Sequence, residues 1–236
     1  MIRLIAGLFV FAACSAFAIE TVNTPAGPDG PAQTAYLPQA GKGPVVILLS
    51  GSSGPATYTW IAEDVAKLGY YAVLVDGNDV FSRKRDGLGN LRKAIERVQH
   101  SPHAMPGKVA VIGFSLGGGS ALAYAAPMAE RVSAVVAYYP STNWTPDIGE
   151  VAHRFKVPVL VLAGGQDTFN NCCLVASMHA MEGAAKAANA NFELVVYPDG
   201  KHSFIQTGSN YRRDYEQDAW KRTVEMLQRH QPIPAK

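Results

Sequence analysis

A chain of 236 residues is long enough to bury a substantial core, and its length suits one large α/β domain. Apolar residues at 48% and charged residues at 17% describe a globular protein and exclude a disordered or low-complexity one. A formal net charge of +2 offers no large field, which argues against nucleic acid or a charged membrane surface as a partner.

The first 18 residues differ from the rest. Arg3 is followed by "LIAGLFVFAA" and then "CSAFA", the basic, apolar, small-residue order of a secretory signal peptide. Cleavage is expected after Ala18, leaving one mature domain over 19–236 and a secreted or periplasmic location. The apolar run is shorter than the about 20 residues a spanning helix needs, so no integral membrane span is expected after cleavage. A competing reading cleaves before Cys14 and leaves a lipoprotein; a third keeps the segment as a helix packed on the domain.

Next comes a segment rich in Pro and Gly, "IETVNTPAGPDGPAQTAYLPQAGKG", expected to hold one or two short edge strands. Apolar, β-branched runs then recur at "VVILL" (45–49), "YAVLV" (71–75), "KVAVIG" (108–113), "VSAVVAYY" (132–139), "VPVLVLAG" (157–164) and "FELVVYP" (192–198). Each is apolar on consecutive residues, as strands buried on both faces should be. Helical stripes fall between them: Ile61, Val65 and Leu68; Leu88, Leu91, Ile95 and Val98; Leu174, Met178, Met181 and Ala185; and finally Trp220, Val224 and Leu227, stopping near Pro232. Strand and helix in alternation predict a three-layer α/β fold, a mostly parallel central sheet with helices on both faces. In such a sheet the loops beyond the carboxyl ends of the strands form the site.

Four of those loops carry chemistry. In Gly113-Phe114-Ser115-Leu116-Gly117 the outer glycines let strand and helix approach a strained serine, whose hydroxyl is presented above the sheet edge. The Leu116 amide, at the helix start, points where an oxyanion would form. The strand "VPVLVLAG" leads into Gly165-Gln166-Asp167, and the next leads into "YPDGKHSF" with His202. The chain order Ser115, Asp167, His202 is that of an α/β-hydrolase triad. The loop "SGSSGP" (50–55) follows the first core strand, and its Ser52 is the expected second oxyanion donor. His179 and His230 do not fall at strand ends, His100 and His103 precede the serine, and Asp199 reads as a turn former beside Gly200.

The substrate signals are weaker. Arg83, Lys84 and Arg85 in "FSRKR" could attract a carboxylate-bearing substrate, or form a solvated charge run. Tyr139 and Trp144 could line the acyl pocket or pack in the core. Cys172 and Cys173 are read as two buried thiols, since a bridge between neighbours is strained; a vicinal or intermolecular disulfide is the alternative. No His, Cys and Asp grouping has metal-ligand spacing, so neither metal nor cofactor is expected.

The assembled residues resemble the dienelactone hydrolase family of α/β-hydrolases from about Gly43 to Gln231. The resemblance rests on "GFSLGG", "LVLAGGQD", "YPDGKHSF" and the closing helix "DYEQDAWKRTVEMLQRH". Lactone-cleaving members carry a cysteine in the elbow, whereas Ser115 stands here, and Ser50-Gly51 replaces the His-Gly of many relatives. The resemblance implies a serine hydrolase acting on small carboxylic esters or lactones. A peptidase or thioesterase is the nearer alternative, and a non-catalytic ligand-binding protein on the same fold the distant one.

Overall fold

The computed structural model describes residues 18–81 and 86–234. The six apolar runs all form strands, and two short strands precede them: β1 (Thr21–Thr24), β2 (Gln33–Tyr36), β3 (Val45–Leu49), β4 (Tyr71–Val75), β5 (Val109–Phe114), β6 (Val132–Tyr138), β7 (Val159–Gly164) and β8 (Phe192–Tyr197). They make one sheet in the order β1-β2-β4-β3-β5-β6-β7-β8. β1 and β2, where one or two short edge strands are expected, pair antiparallel at one edge of the sheet, and β3 to β8 run parallel.

Successive side chains on a strand point to opposite faces, so an apolar run must be covered twice. On one face Ile47, Val73, Val111, Val135 and Val161 pack against Leu91, Ile95 and Val98 of α3 (Gly87–Gln99) and Met178 and Met181 of α6 (Val175–Ala187). On the other, Leu48, Leu74, Ile112, Val136 and Leu162 pack against Ile61 and Val65 of α1 (Thr59–Lys67) and Ala219 and Leu227 of α7 (Arg213–His230). Each fully buried aliphatic side chain contributes about 1.5–3 kcal/mol of transfer free energy. The two faces give the three layers expected of an α/β-hydrolase.

Two stripes shift slightly. Leu68 caps α1 and is exposed, and the buried side of α7 runs through Ala219, Thr223 and Leu227, with Trp220 packed beside it. Thr223 sits there because the buried Tyr138 hydroxyl needs a partner: it lies 2.6 Å from Thr223 Oγ1 and donates to the Ala219 carbonyl at 3.2 Å. Among the described residues no helix is long and apolar enough to cross a membrane. The expected signal segment and the Arg83-Lys84-Arg85 run lie outside the described residues, apart from Ala18.

Candidate active site

β5 ends at Phe114 and α4 (Leu116–Ser120) begins two residues later, leaving Ser115 alone to make the turn. It does so at φ 50°, ψ −111°, in a region non-glycine residues rarely occupy. The strain is held by backbone hydrogen bonds: Ser115 N donates to the Tyr138 carbonyl at 3.0 Å, and Ser141 N and Gly119 N donate to the Ser115 carbonyl, both at 2.9 Å. Glycine is required on either side of the turn. A Cβ on Gly113 would strike the Gly117 carbonyl, and one on Gly117 would strike the Leu49 and Ser50 carbonyls at the end of β3.

The two partners come from neighbouring strand ends. Ser115 Oγ lies 3.0 Å from His202 Nε2, and His202 Nδ1 lies 2.7 Å from Asp167 Oδ2. All three residues are buried, Asp167 most deeply. Asp167 has no freedom to turn away, because its Oδ1 accepts from Phe169 N at 3.1 Å. The His202 carbonyl accepts from Asn210 Nδ2 at 3.0 Å, which fixes the other side of the loop. The three residues expected to meet are therefore brought into one hydrogen-bonded line from hydroxyl to carboxylate. His179, His230, His100 and His103 stay elsewhere: His179 beside Glu182 on α6, His230 at the end of α7, His100 at the end of α3, and His103 against Tyr71.

Above Ser115 opens a cavity of about 200 Å³, lined by Ser52, Ser53, Tyr58, Ser115, Phe169, His202, Ser203 and Asn210. Ser52, the expected second oxyanion donor, lines the cavity, and Leu116, the expected first donor, opens the helix beside the serine. Five of the lining residues are not singled out in the sequence reading: Ser53, Tyr58, Phe169, Ser203 and Asn210. Phe169 stacks flat on the imidazole, with centroids 4.5 Å apart and planes 8° apart, yet it is 49% exposed. Tyr58 is buried and stacked on Phe114 at 4.5 Å, and burial raises its hydroxyl pKa, so it stays neutral at ordinary pH. The available signal for Phe169 was its place two residues after the carboxylate; the others carry no sequence signal of their own.

Tyr139 and Trp144 do not line this cavity. Tyr139 is fully buried at φ 36° and packs its ring edge-on to His202 and Phe204, at 5.1 and 5.4 Å, bracing the imidazole from behind. Trp144 folds away because its indole N–H, half-buried, needs an acceptor; it donates to the Ser141 carbonyl at 2.8 Å, and the ring meets Phe81 edge-on. Asp199, read as a turn former, also holds Arg212 and accepts from the Tyr215 hydroxyl.

Two further expectations are corrected. Cys172 and Cys173 are joined in a vicinal disulfide with their Cα atoms 3.8 Å apart, not left as free thiols. Adjacent residues have no other separation across a trans peptide, and here both side chains turn the same way, into the wall beside His202. The fold thus groups Cys172, Cys173 and His202, whose ligand atoms lie within 4.8 Å of one another, although nothing in their sequence spacing suggests a metal-type cluster.

A parallel sheet with a serine on a strained strand-to-helix turn, a histidine and a carboxylate at the same edge, defines an α/β-hydrolase. The sequence profile of the dienelactone hydrolase family matches residues 78–231, and the chain belongs to that family. A Yersinia pestis protein provisionally named as a carboxymethylenebutenolidase is 30% identical over 250 residues, covering 91% of each chain. The carboxymethylenebutenolidase of Pseudomonas sp. (strain P51) is 29% identical, covering 84% of this chain and 89% of its own. The crystal structure of a provisionally named dienelactone hydrolase from Klebsiella pneumoniae superposes with a TM-score of 0.75 at 22% identity, over 89% of this chain and 99% of that one.

Proposed function

We propose that the protein is an exported serine hydrolase that cleaves small carboxylic esters or lactones through an acyl-enzyme on Ser115. The observation that carries this reading is the continuous relay, 3.0 Å from Ser115 Oγ to His202 Nε2 and 2.7 Å from His202 Nδ1 to Asp167 Oδ2. A serine hydroxyl is a weak nucleophile until a base takes its proton. His202 Nε2 accepts that proton as Oγ attacks the carbonyl carbon, then returns it to the departing alkoxide; Asp167 holds the Nδ1–H tautomer and stabilises the imidazolium. The tetrahedral oxyanion is received by the backbone N–H of Leu116, one of the unsatisfied amides of the first helical turn, and by that of Ser52. Water then enters by the same base catalysis, and the acid leaves.

Substrate size and polarity follow from the walls. A cavity of about 200 Å³ between Tyr58 and Phe169, whose described lining holds no Asp, Glu, Lys or Arg side chain, suits small neutral or aromatic acyl groups. The carboxymethylenebutenolidase relatives favour including lactones among the substrates. Export is supported by the signal-like order of the first 18 residues and by the disulfide, which persists in oxidising compartments. A panel of nitrophenyl esters, lactones and thioesters, assayed on the purified protein, tests the reading. Short acyl esters or lactones are expected to turn over fastest; preference for long acyl chains, or no turnover of any, contradicts it.

A further inference from the structure

The disulfide lies against the imidazole that serves as base, and the hydrolytic reaction does not use it. The Sγ atoms of Cys172 and Cys173 and a ring nitrogen of His202 fall within 4.8 Å of one another, and all three residues are buried. The loop that carries the sulfurs is pinned independently of their bond: Thr142 N and Oγ1 both donate to the Cys172 carbonyl, at 2.6 and 3.1 Å, and Cys172 N donates to the Phe169 carbonyl at 2.9 Å. Opening the bond therefore leaves both sulfurs beside His202.

We propose that, when the Cys172–Cys173 bond is reduced, the two thiolates and His202 form a site for a soft divalent cation such as Zn²⁺, and that filling it switches off hydrolysis. Thiolate and imidazole are the ligands zinc prefers. Two sulfurs bound at about 2.3 Å to a tetrahedral ion stand roughly 3.7 Å apart, a separation that the broken bond permits. From a separation of no more than 4.8 Å, the nitrogen has to close by at most about 1.3 Å to join them. Both ring nitrogens of His202 are already engaged, Nε2 with Ser115 and Nδ1 with Asp167. Coordination through Nε2 removes the base, and coordination through Nδ1 removes the hold of Asp167, so either choice breaks the relay. The chemistry balances with a phosphine as reductant: the disulfide takes up two electrons and two protons to give two thiols, and the phosphine becomes its oxide with oxygen from water. Zn²⁺ then displaces the two thiol protons to solvent.

The inhibitory half rests on the reading of His202 as the base, whereas binding is measured without it. Protein reduced with a phosphine and desalted is titrated with Co²⁺. Reduced protein is expected to take up cobalt with thiolate-to-metal charge-transfer absorption and oxidised protein to show none. Cys172→Ala/Cys173→Ala is expected to lack the band, and His202→Ala to bind cobalt at least about tenfold more weakly. Zn²⁺ is expected to lower ester turnover of the reduced enzyme about a hundredfold, reversibly with a chelator, while the oxidised enzyme and the double cysteine variant keep turning over. Absence of the cobalt band in reduced protein, unchanged cobalt affinity in His202→Ala, or zinc inhibition that persists in the double variant overturns the proposal. A reduced protein that binds cobalt through all three residues, yet whose oxidised form hydrolyses no ester, upholds the site and removes the hydrolase reading instead.

Discussion

Two carboxylates compete for the neighbourhood of His202, and they end in opposite environments. Asp199 lies three residues before the histidine and Asp167 thirty-five before it, yet it is Asp167 that bonds the ring. The Asp167 and His202 side chains are 0% and 9% exposed, whereas Asp199 is 53% exposed and faces outward to Arg212, itself shared with Asp214. Two unit charges 4 Å apart interact by about 1 kcal/mol in water and about 4 kcal/mol at an effective dielectric of 20. The buried pair is therefore the one able to stabilise an imidazolium as it forms, and the exposed cluster holds loop and helix together at modest worth. Sequence proximity did not select the partner; the sheet edge did, because β7 and β8 are adjacent and parallel and their ends place Asp167 and His202 side by side.

The contrast can be broken most forcefully within the relay. Ser115→Ala and His202→Ala are each expected to lower nitrophenyl ester turnover by at least about a thousandfold. Asp167→Asn leaves the shape but presents the wrong tautomer; its loss is expected to be large, roughly tenfold less severe than either of those, and spectroscopically invisible in the fold. Phe169→Ala removes a stacked ring that also walls the cavity. We expect KM to rise severalfold with kcat nearly unchanged, since ring stacking is worth about 0.5–1.5 kcal/mol; a fall in kcat alone would mean that Phe169 acts on the histidine and not on the substrate.

The outer cluster should give the smallest effect. Hydrogen bonding from Tyr215, then from Arg212, holds the Asp199 carboxyl below its usual value. A lowered carboxylate pKa adds stability at pH values above the unfolded pKa, and that stability is lost as pH falls through the folded value. Asp199→Asn is thus expected to melt slightly below the wild type near neutrality, to converge with it in acid, and to turn over substrate within about threefold of it. Should Asp199→Asn cost as much turnover as Asp167→Asn, the division between buried relay and exposed cluster is wrong.

Strands and relay were legible in the sequence for one shared reason. A strand buried on both faces must be apolar at every position, so its ends are visible, and in a parallel sheet those ends are where Ser115, Asp167 and His202 have to stand. What the sequence hid depends on side-chain direction across loops. Tyr139 follows β6 directly, yet its left-handed backbone turns the ring behind His202 rather than into the cavity. Trp144 follows the nearest acceptor for its N–H, and Phe169 leaves the core to cover an imidazole thirty-three positions further along. The bridge between Cys172 and Cys173 was misjudged because spacing alone argues for strain and says nothing of which way two adjacent side chains point.

Covalent labelling tests the relay most directly. A fluorophosphonate reacts only with a serine whose proton is being taken by a positioned base. The oxidised wild-type protein should label stoichiometrically at Ser115, Ser115→Ala not at all, and His202→Ala far more slowly. A folded wild-type protein that stays unlabelled, or that labels equally fast without its imidazole, would contradict the assignment of Ser115 and His202 as nucleophile and base.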